Sequence, residues 1–299
     1  MIDMADIRGL TLAKRAIEVM VAGGFNLLLH GAPGSGKTML ARRAVGLFPL
    51  LSMEAASEVA VLHQGLGCSS DGITFQVPMR APHHTVGAVG LLGGGSPVRP
   101  GEVSLAHHGV LFLDELPEFS RACMEGLREP LADRHVRIVR SKGEVVFPAR
   151  FQLLAAMNAC PCGYLGHPEK PCVCPTAAAV RYQQRISSLA DCFDLAVSVE
   201  QLPTVEVGPR SESSDAIRQR IVKARDLARQ RAEGGIVESI ACRMTAHATR
   251  LVGETSTDGQ QRRIRRVAQT IADLESADEI TDLHVAEAIT LRRLPEHVR

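Results

Sequence analysis

The chain has 299 residues, 45% of them hydrophobic and 22% charged, enough to bury a substantial core and to divide into one large and one small domain. Its 34 Lys and Arg stand against 33 Asp and Glu, a formal net charge of +1 that excludes a long-range basic field, so any nucleic-acid contact has to come from a local patch. The opening Met1-Ile2-Asp3-Met4-Ala5-Asp6 lacks a basic segment followed by an apolar one, and no apolar stretch reaches membrane-spanning length, which predicts a cytoplasmic protein without membrane contact.

Leu12, Ala13, Ala16, Ile17, Val19 and Met20 recur at helical spacing and predict an amphipathic helix that leads through Gly23-Gly24 into a strand, Phe25-Asn26-Leu27-Leu28-Leu29-His30. Gly31-Ala32-Pro33-Gly34-Ser35-Gly36-Lys37-Thr38 follows, and Met39-Leu40-Ala41-Arg42-Arg43-Ala44 continues as a helix. Strand, glycine-rich loop and helix in that order make a phosphate loop. Its glycines let backbone amides approach phosphate oxygens, Lys37 brings a point charge to the β and γ groups, and Thr38 offers a hydroxyl to Mg²⁺. The expected ligand is ATP, held by residues 31–39. An ordinary glycine-rich turn is the alternative.

Residues 64–101 are rich in glycine and proline and keep no period, which predicts an insertion of loops and short strands. Two buried strands come next: Gly109-Val110-Leu111-Phe112-Leu113, ending in Asp114-Glu115, and Phe151-Gln152-Leu153-Leu154-Ala155-Ala156-Met157, ending in Asn158. Near-continuous apolar runs of this kind predict an α/β fold with a parallel sheet flanked by helices. Carboxyl ends of such strands are where ligands bind. Asp114 is therefore a candidate to hold Mg²⁺ through water, Glu115 to polarise the attacking water, and Asn158 to hydrogen-bond the γ-phosphate or that water.

Between these strands, His135-Val136-Arg137-Ile138-Val139-Arg140 and Val145-Val146-Phe147 flank Ser141-Lys142-Gly143-Glu144, a β-hairpin with Arg137, Arg140 and Lys142 near its tip. The cations suit either a phosphate backbone or a solvated edge charged against strand pairing. After Asn158, Cys160, Cys162, Cys172 and Cys174 put four thiols in one loop, enough for a tetrahedral Zn²⁺ site, with reduced free cysteines as the alternative. Cys68, Cys123, Cys192 and Cys242 are isolated small apolar residues. His83-His84 and His107-His108 invite a metal reading, but adjacent residues of an extended segment face opposite ways, so loop packing or a subunit contact is expected.

Past Pro203, Gly208-Pro209 and Ser211-Glu212-Ser213-Ser214 mark a linker, and the division expected is an α/β core over 1–207 and an all-α lid over 208–299. Ile217, Ile221, Ala224 and Ala228 share one helical face, Ile264, Val267, Ala268 and Ile271 another, and Val285, Ala286 and Ile289 belong to a last helix behind Thr281 as N-cap.

Phosphate loop, strand ending in Asp-Glu, strand ending in Asn, then a helical lid: this order resembles an AAA+ ATPase. Arg80-Ala81-Pro82-His83-His84-Thr85, Arg99-Pro100-Gly101-Glu102-Val103-Ser104-Leu105-Ala106-His107, Leu111-Phe112-Leu113-Asp114-Glu115-Leu116-Pro117-Glu118-Phe119 and Asn158-Ala159-Cys160-Pro161-Cys162-Gly163 narrow the resemblance to the magnesium-chelatase-like branch, and within it to the ComM/YifB family, from Asp6 to about Arg293. The resemblance implies a hexameric ring ATPase, with ATP and Mg²⁺ as cofactors. Competence-related members of the family migrate branched DNA, so DNA is an implied partner. In related rings a hairpin at this position enters the central channel, where six copies would gather about 18 positive charges. The family usually carries a further N-terminal domain resembling the Lon protease domain, and the expectation is that this chain lacks it.

Three positions depart from the family pattern. A segment that typically reads Ser-Gly-Pro-Leu-Leu-Asp-Arg-Phe-Asp-Leu is here Ser187-Ser188-Leu189-Ala190-Asp191-Cys192-Phe193-Asp194-Leu195, one residue shorter, with Cys192 in the arginine-finger position. Gly259 stands where a second sensing arginine is usual, with Arg262 and Arg263 close by, and Leu10 replaces a glutamine on the adenine side. Weak hydrolysis follows, unless Arg185 or a partner homologue with an intact finger supplies the charge. The alternatives are a ring subunit that binds ATP without turning it over and the motor subunit of a magnesium chelatase.

Overall fold

The computed structural model describes residues 3–64, 72–141, 143–167, 169–200, 212–233, 243–254, 257–295 and 298. Lys142, Cys68, Cys242 and most of the expected linker, including Pro203 and Gly208-Pro209, lie outside the described residues, as does the boundary expected at 207/208.

Five parallel strands form the main sheet, in the order Met79–Arg80, Val110–Leu113, Gln152–Met157, Leu27–His30, Leu195–Ser198. Leu27 lies opposite Leu154 on one side and Leu195 on the other, and Leu113 lies opposite Ala155. Both faces are covered, which explains why these strands read as unbroken apolar runs rather than alternating ones. Leu27, Leu29, Phe112, Leu154 and Val197 point into one buried cluster, and Leu28, Leu111, Leu113, Leu153 and Ala196 point into the other.

The first cluster is closed by the helices Thr11–Gly23 and Lys37–Ala44 and runs on without a break into the C-terminal helices Ser214–Glu233, Ala246–Gly253, Asp258–Glu275 and Asp282–Thr290. Ion pairs lace the outside of this contact: Arg15 reaches Glu287 at 2.7 Å and Glu275 at 2.9 Å, Arg220 reaches Glu18 at 2.8 Å and also pairs with Glu212, and Arg231 pairs with Asp273. Thr281 caps the last helix, in a box completed by His284. The second cluster is closed by the shorter helices Arg121–Gly126, Arg128–Asp133 and Thr176–Gln184.

The sequence-predicted strands are present, each one or two residues shorter at its start. The hairpin pairs His135–Arg140 with Gly143–Pro148, Arg140 opposite Gly143, and projects Val139, Val145 and Val146 into solvent. Within 64–101 short strands do occur, Gly93–Gly94 with Arg99–Pro100, but Ala88–Leu92 is helical.

Candidate nucleotide site

Residues 31–36 turn from the Leu27–His30 strand into the Lys37–Ala44 helix. Gly36, at φ 96°, starts that helix with no side-chain cap, so its first amides are left for a ligand. Lys37 is only 7% exposed, and its Nζ donates to the carbonyls of Gly31 at 2.9 Å and Ala32 at 2.7 Å. Burial draws its pKa down, and the charge of Asp114 opposes that shift. An ammonium held on loop carbonyls, beside open helix amides, fits a polyphosphate that would exchange for those carbonyls.

Thr38 Oγ1 donates to Asp114 Oδ2 at 2.6 Å. The two residues come from different strand ends, brought together because Val110–Leu113 and Leu27–His30 both pair with Gln152–Met157 and end at the same edge. A hydroxyl and a carboxylate so placed fit a Mg²⁺ site. Glu115 adopts φ 53°, its amide donates to Asp114 Oδ1 at 3.0 Å, and its carboxylate is half exposed. His84 Nδ1 lies 3.2 Å from Glu115 Oε2. This partner was not foreseen, since nothing near His84 in sequence points to Glu115. Asn158 follows the Gln152–Met157 strand, half-buried, and its side chain makes no hydrogen bond among the described residues.

On the other side of the loop a cavity of about 350 Å³ is lined by Ile7, Arg8, Leu10 and Met39 together with Gly34, Ser35 and Gly36. Its apolar wall suits the base of a nucleotide. Leu10 is there, on the side that the family resemblance implied; Ile7 and Arg8 carried no motif and were missed.

The four cysteines converge. Cys160 Sγ lies 3.5 Å from Cys162 Sγ and 3.6 Å from Cys172 Sγ, Cys162 and Cys172 are 3.6 Å apart, and all four sulfurs lie within 4.8 Å of one another. Zinc–thiolate bonds of about 2.3 Å in a tetrahedron put sulfurs about 3.8 Å apart, so the cluster has the right size for Zn²⁺. Backbone N–H groups turn toward it, Leu165 onto Cys160 and Cys174 onto Cys172, each at 3.4 Å. The amides of Tyr164 and Val173 draw the Cys162 pKa down to about 6, while burial raises that of Cys160. The loop also touches the phosphate loop: Gly163 is so close to Pro33 that a Cβ on it would stand 2.3 Å from Pro33 Cγ.

Cys192 is half-buried against the second cluster, and its carbonyl accepts from Asn26 Nδ2 at 2.8 Å. Burial raises its pKa; Arg128 and Arg263 are near enough to act against that shift. Arg263 Nη1 lies 3.3 Å from Asp191 Oδ1, whereas Arg185 pairs with Glu118 at 3.8 Å. Gly259 lies in the first turn of its helix with open space around it.

The expectation that adjacent histidines face opposite ways needs correction at both pairs, since the ring centres of His83 and His84 lie 4.1 Å apart and those of His107 and His108 4.0 Å. His107 Nε2 and His108 Nε2 both reach Glu58 Oε2, at 3.0 Å and 2.6 Å, because His108 has φ 59° and the segment is not extended there. His107 Nδ1 accepts from the Arg150 amide, so its Nε2 carries the proton and donates to Glu58.

Residues 3–207 match the family described as magnesium chelatase, subunit ChlI, and residues 211–292 match the C-terminal part of the same subunit. The chain is 39% identical over 312 residues to the uncharacterized protein YifB of Escherichia coli (strain K12) and 37% identical over 310 residues to that of Salmonella typhimurium (strain LT2). It is 38% identical over 314 residues to the competence protein ComM of Haemophilus influenzae. Each match covers 98% of this chain and 60% of the relative.

Proposed function

The chain belongs to the magnesium chelatase ChlI family, in its ComM/YifB branch, and from that premise we propose that it hydrolyses ATP at the loop-and-carboxylate site and couples hydrolysis to DNA remodelling, branch migration in a homo-hexameric ring. The observation that carries the reading is the Thr38–Asp114 hydrogen bond of 2.6 Å, which joins the two protein ligands of a Mg²⁺ site across one strand of the sheet. In this reading the loop amides and Lys37 hold the β- and γ-phosphates, with the Lys37 ammonium leaving the carbonyls of Gly31 and Ala32 to do so. Mg²⁺, when bound between Thr38 and Asp114, supplies charge neutralisation at the transferring phosphoryl group. Glu115 orients the attacking water and accepts its proton, His84 positions that carboxylate, and Asn158 reaches the γ-phosphate. A half-exposed carboxylate can meet water and nucleotide without rearranging the sheet.

The hairpin supports the DNA part. Arg137 is paired with Glu144 at 2.7 Å, and Arg140 lies nearer the turn, on a ribbon that is mostly solvent-exposed. A Zn²⁺ ion on Cys160, Cys162, Cys172 and Cys174 is part of the proposal, as a structural brace beside Pro33. A second reading, a ring subunit that binds ATP and barely turns it over, is favoured by the thiol of Cys192 where a guanidinium would stand.

The test is ATP turnover by purified protein with and without branched DNA, alongside Glu115→Gln. Turnover stimulated by DNA and lost in Glu115→Gln, with ATP binding kept, is the expected result. Turnover in Glu115→Gln equal to that of the unaltered chain refutes the assignment. Binding without turnover in the unaltered chain selects the second reading.

A further inference from the structure

At the amino ends of the strands, on the side of the sheet away from the phosphate loop, lies a cavity of about 500 Å³, larger than the 350 Å³ on the nucleotide side. Strands of four to six residues at about 3.3 Å per residue put roughly 13–20 Å between the two ends, beyond the reach of one nucleotide held by both. Arg134, Arg150, Arg225, Arg266 and His108 line it, and none of its lining residues is Asp or Glu. We propose that this cavity is a second anion site that takes a phosphate group.

The four arginines come from separate parts of the chain. Arg134 and Arg150 bracket the hairpin at its root, where the Ala149 amide donates to the Arg134 carbonyl at 2.8 Å. Arg225 comes from the Ser214–Glu233 helix and Arg266 from the Asp258–Glu275 helix. Like charges gathered around one cavity favour an anion there over a cation. Several arginines elsewhere on the same helices do have carboxylates, Arg220 with Glu18 and Glu212, Arg231 with Asp273, and Arg263 with Asp191. The four cavity arginines have no carboxylate partner among the described residues, and Glu58 is taken up by His107 and His108.

Two of the guanidinium groups are held in place. Arg225 donates through Nε and Nη2 to the Val21 carbonyl at 3.1 and 2.6 Å and lies 5.8 Å from the Phe48 ring centre, and Arg266 lies 5.4 Å from that of Phe25. With its Nε and Nη2 donating to Val21, Arg225 has Nη1 to offer a phosphate oxygen, Arg266 is held beside an aromatic ring that orients its guanidinium, and the apolar wall of Phe48, Leu51 and Val77 strengthens such contacts by lowering the local dielectric. Several forks suit a multiply charged phosphate better than a single carboxylate. The source is a free phosphorylated ligand or the backbone of a nucleic acid, and the experiment separates them.

The proposal does not depend on the ATPase reading, so the test is run on the full chain carrying Lys37→Ala, which silences the phosphate loop. Inorganic pyrophosphate and, separately, a single-stranded oligonucleotide are titrated against this protein and against the same protein carrying Arg150→Gln and Arg266→Gln, with thermal melting to verify folding. The expected result is pyrophosphate binding that survives Lys37→Ala and weakens about tenfold or more with the two glutamines. An oligonucleotide affinity that falls in the same variant, with a shallower salt dependence, identifies a nucleic-acid backbone as the source. An oligonucleotide indifferent to the change identifies a free ligand. If the double variant melts early, Arg150→Gln alone, at an exposed side chain, repeats the comparison. Absence of pyrophosphate binding in the Lys37→Ala protein, or binding unchanged by the glutamines, overturns the proposal.

Discussion

The contact between the cysteine loop and the phosphate loop makes a prediction that separates backbone strain from loop displacement. Gly163 and Gly166 sit three residues apart with nearly the same backbone, φ 83° and φ 80°. An alanine at either costs about 1–2 kcal/mol for the left-handed conformation alone. Only at Gly163 does the new methyl meet something: it would stand 2.3 Å from Pro33 Cγ and 2.6 Å from Pro33 Cδ, whereas Gly166 has nothing within 4 Å. Carbon atoms rest at about 3.5–4.0 Å, so the gap must open by about 1 Å or more. Pro33 has a locked φ and no side-chain torsion with which to retreat, so the motion passes into the backbone that is to receive the phosphates. A displacement of that size is worth one to two orders of magnitude where geometry is demanding. Gly163→Ala should therefore lose about tenfold in ATP affinity, some 1.4 kcal/mol, while Gly166→Ala binds ATP like the unaltered chain. Calorimetric titration with ATP and Mg²⁺, with zinc content measured on the same samples, reads both. Equal affinities for Gly163→Ala and the unaltered protein, or an equal loss in Gly166→Ala, would refute the idea that the cysteine loop braces the phosphate loop.

Lys37→Ala should abolish ATP binding and leave the fold intact, since the ammonium it removes is held only by the loop's own groups; undiminished affinity in calorimetry would sink the phosphate-loop assignment. Protein purified without chelator should hold about one zinc per chain, and metal analysis near zero would leave the four cysteines as free thiols. Replacing Arg137 and Arg140 by alanine should weaken DNA binding and flatten its salt dependence by about one unit of slope for each phosphate no longer neutralised; because Arg137 also pairs with Glu144, Arg140→Ala alone should carry the larger share, and an unchanged slope would make the hairpin structural. Arg263→Ala should lower turnover with ATP affinity kept if that guanidinium supplies the charge absent at Cys192; a lower turnover in Arg185→Ala instead would place the charge on the other side of the site.

What could be read from the chain was whatever its chemistry keeps contiguous. The phosphate loop is eight adjacent residues, and the strands that end in Asp114-Glu115 and Asn158 announce themselves because burial on both faces forces unbroken apolar runs. Leu195–Ser198 and Met79–Arg80 escaped because four and two residues are too few to show a period, although their neighbours fix their register. His84 on Glu115, Arg263 on Asp191 and the four arginines around the second cavity are contacts between segments far apart in sequence, and no local pattern encodes them. His107-His108 misled for a different reason, since the alternation rule holds only for extended backbone and His108 has left it.

Cys192, at the position where the resemblance implies an arginine finger, shows how the two kinds of information combine. The family pattern has arginine where this chain has Cys192, and the Cys192 side chain is half-buried against the cluster that holds Leu189 and Phe193, a place where a guanidinium would have to be desolvated. The same edge nevertheless carries positive charge, from Arg128 beside it and from Arg263, which leans on Asp191 rather than on its own phosphate loop. Arg263 is also three residues from Arg266, which lines the second cavity, so one helix, Asp258–Glu275, presents a cation to the finger edge and another to the anion site. Turnover measured with and without pyrophosphate, in the unaltered chain and in Arg266→Gln, tests for coupling between cavity and edge: a pyrophosphate effect present in the first and absent in the second is the outcome that shows it, and equal effects exclude it.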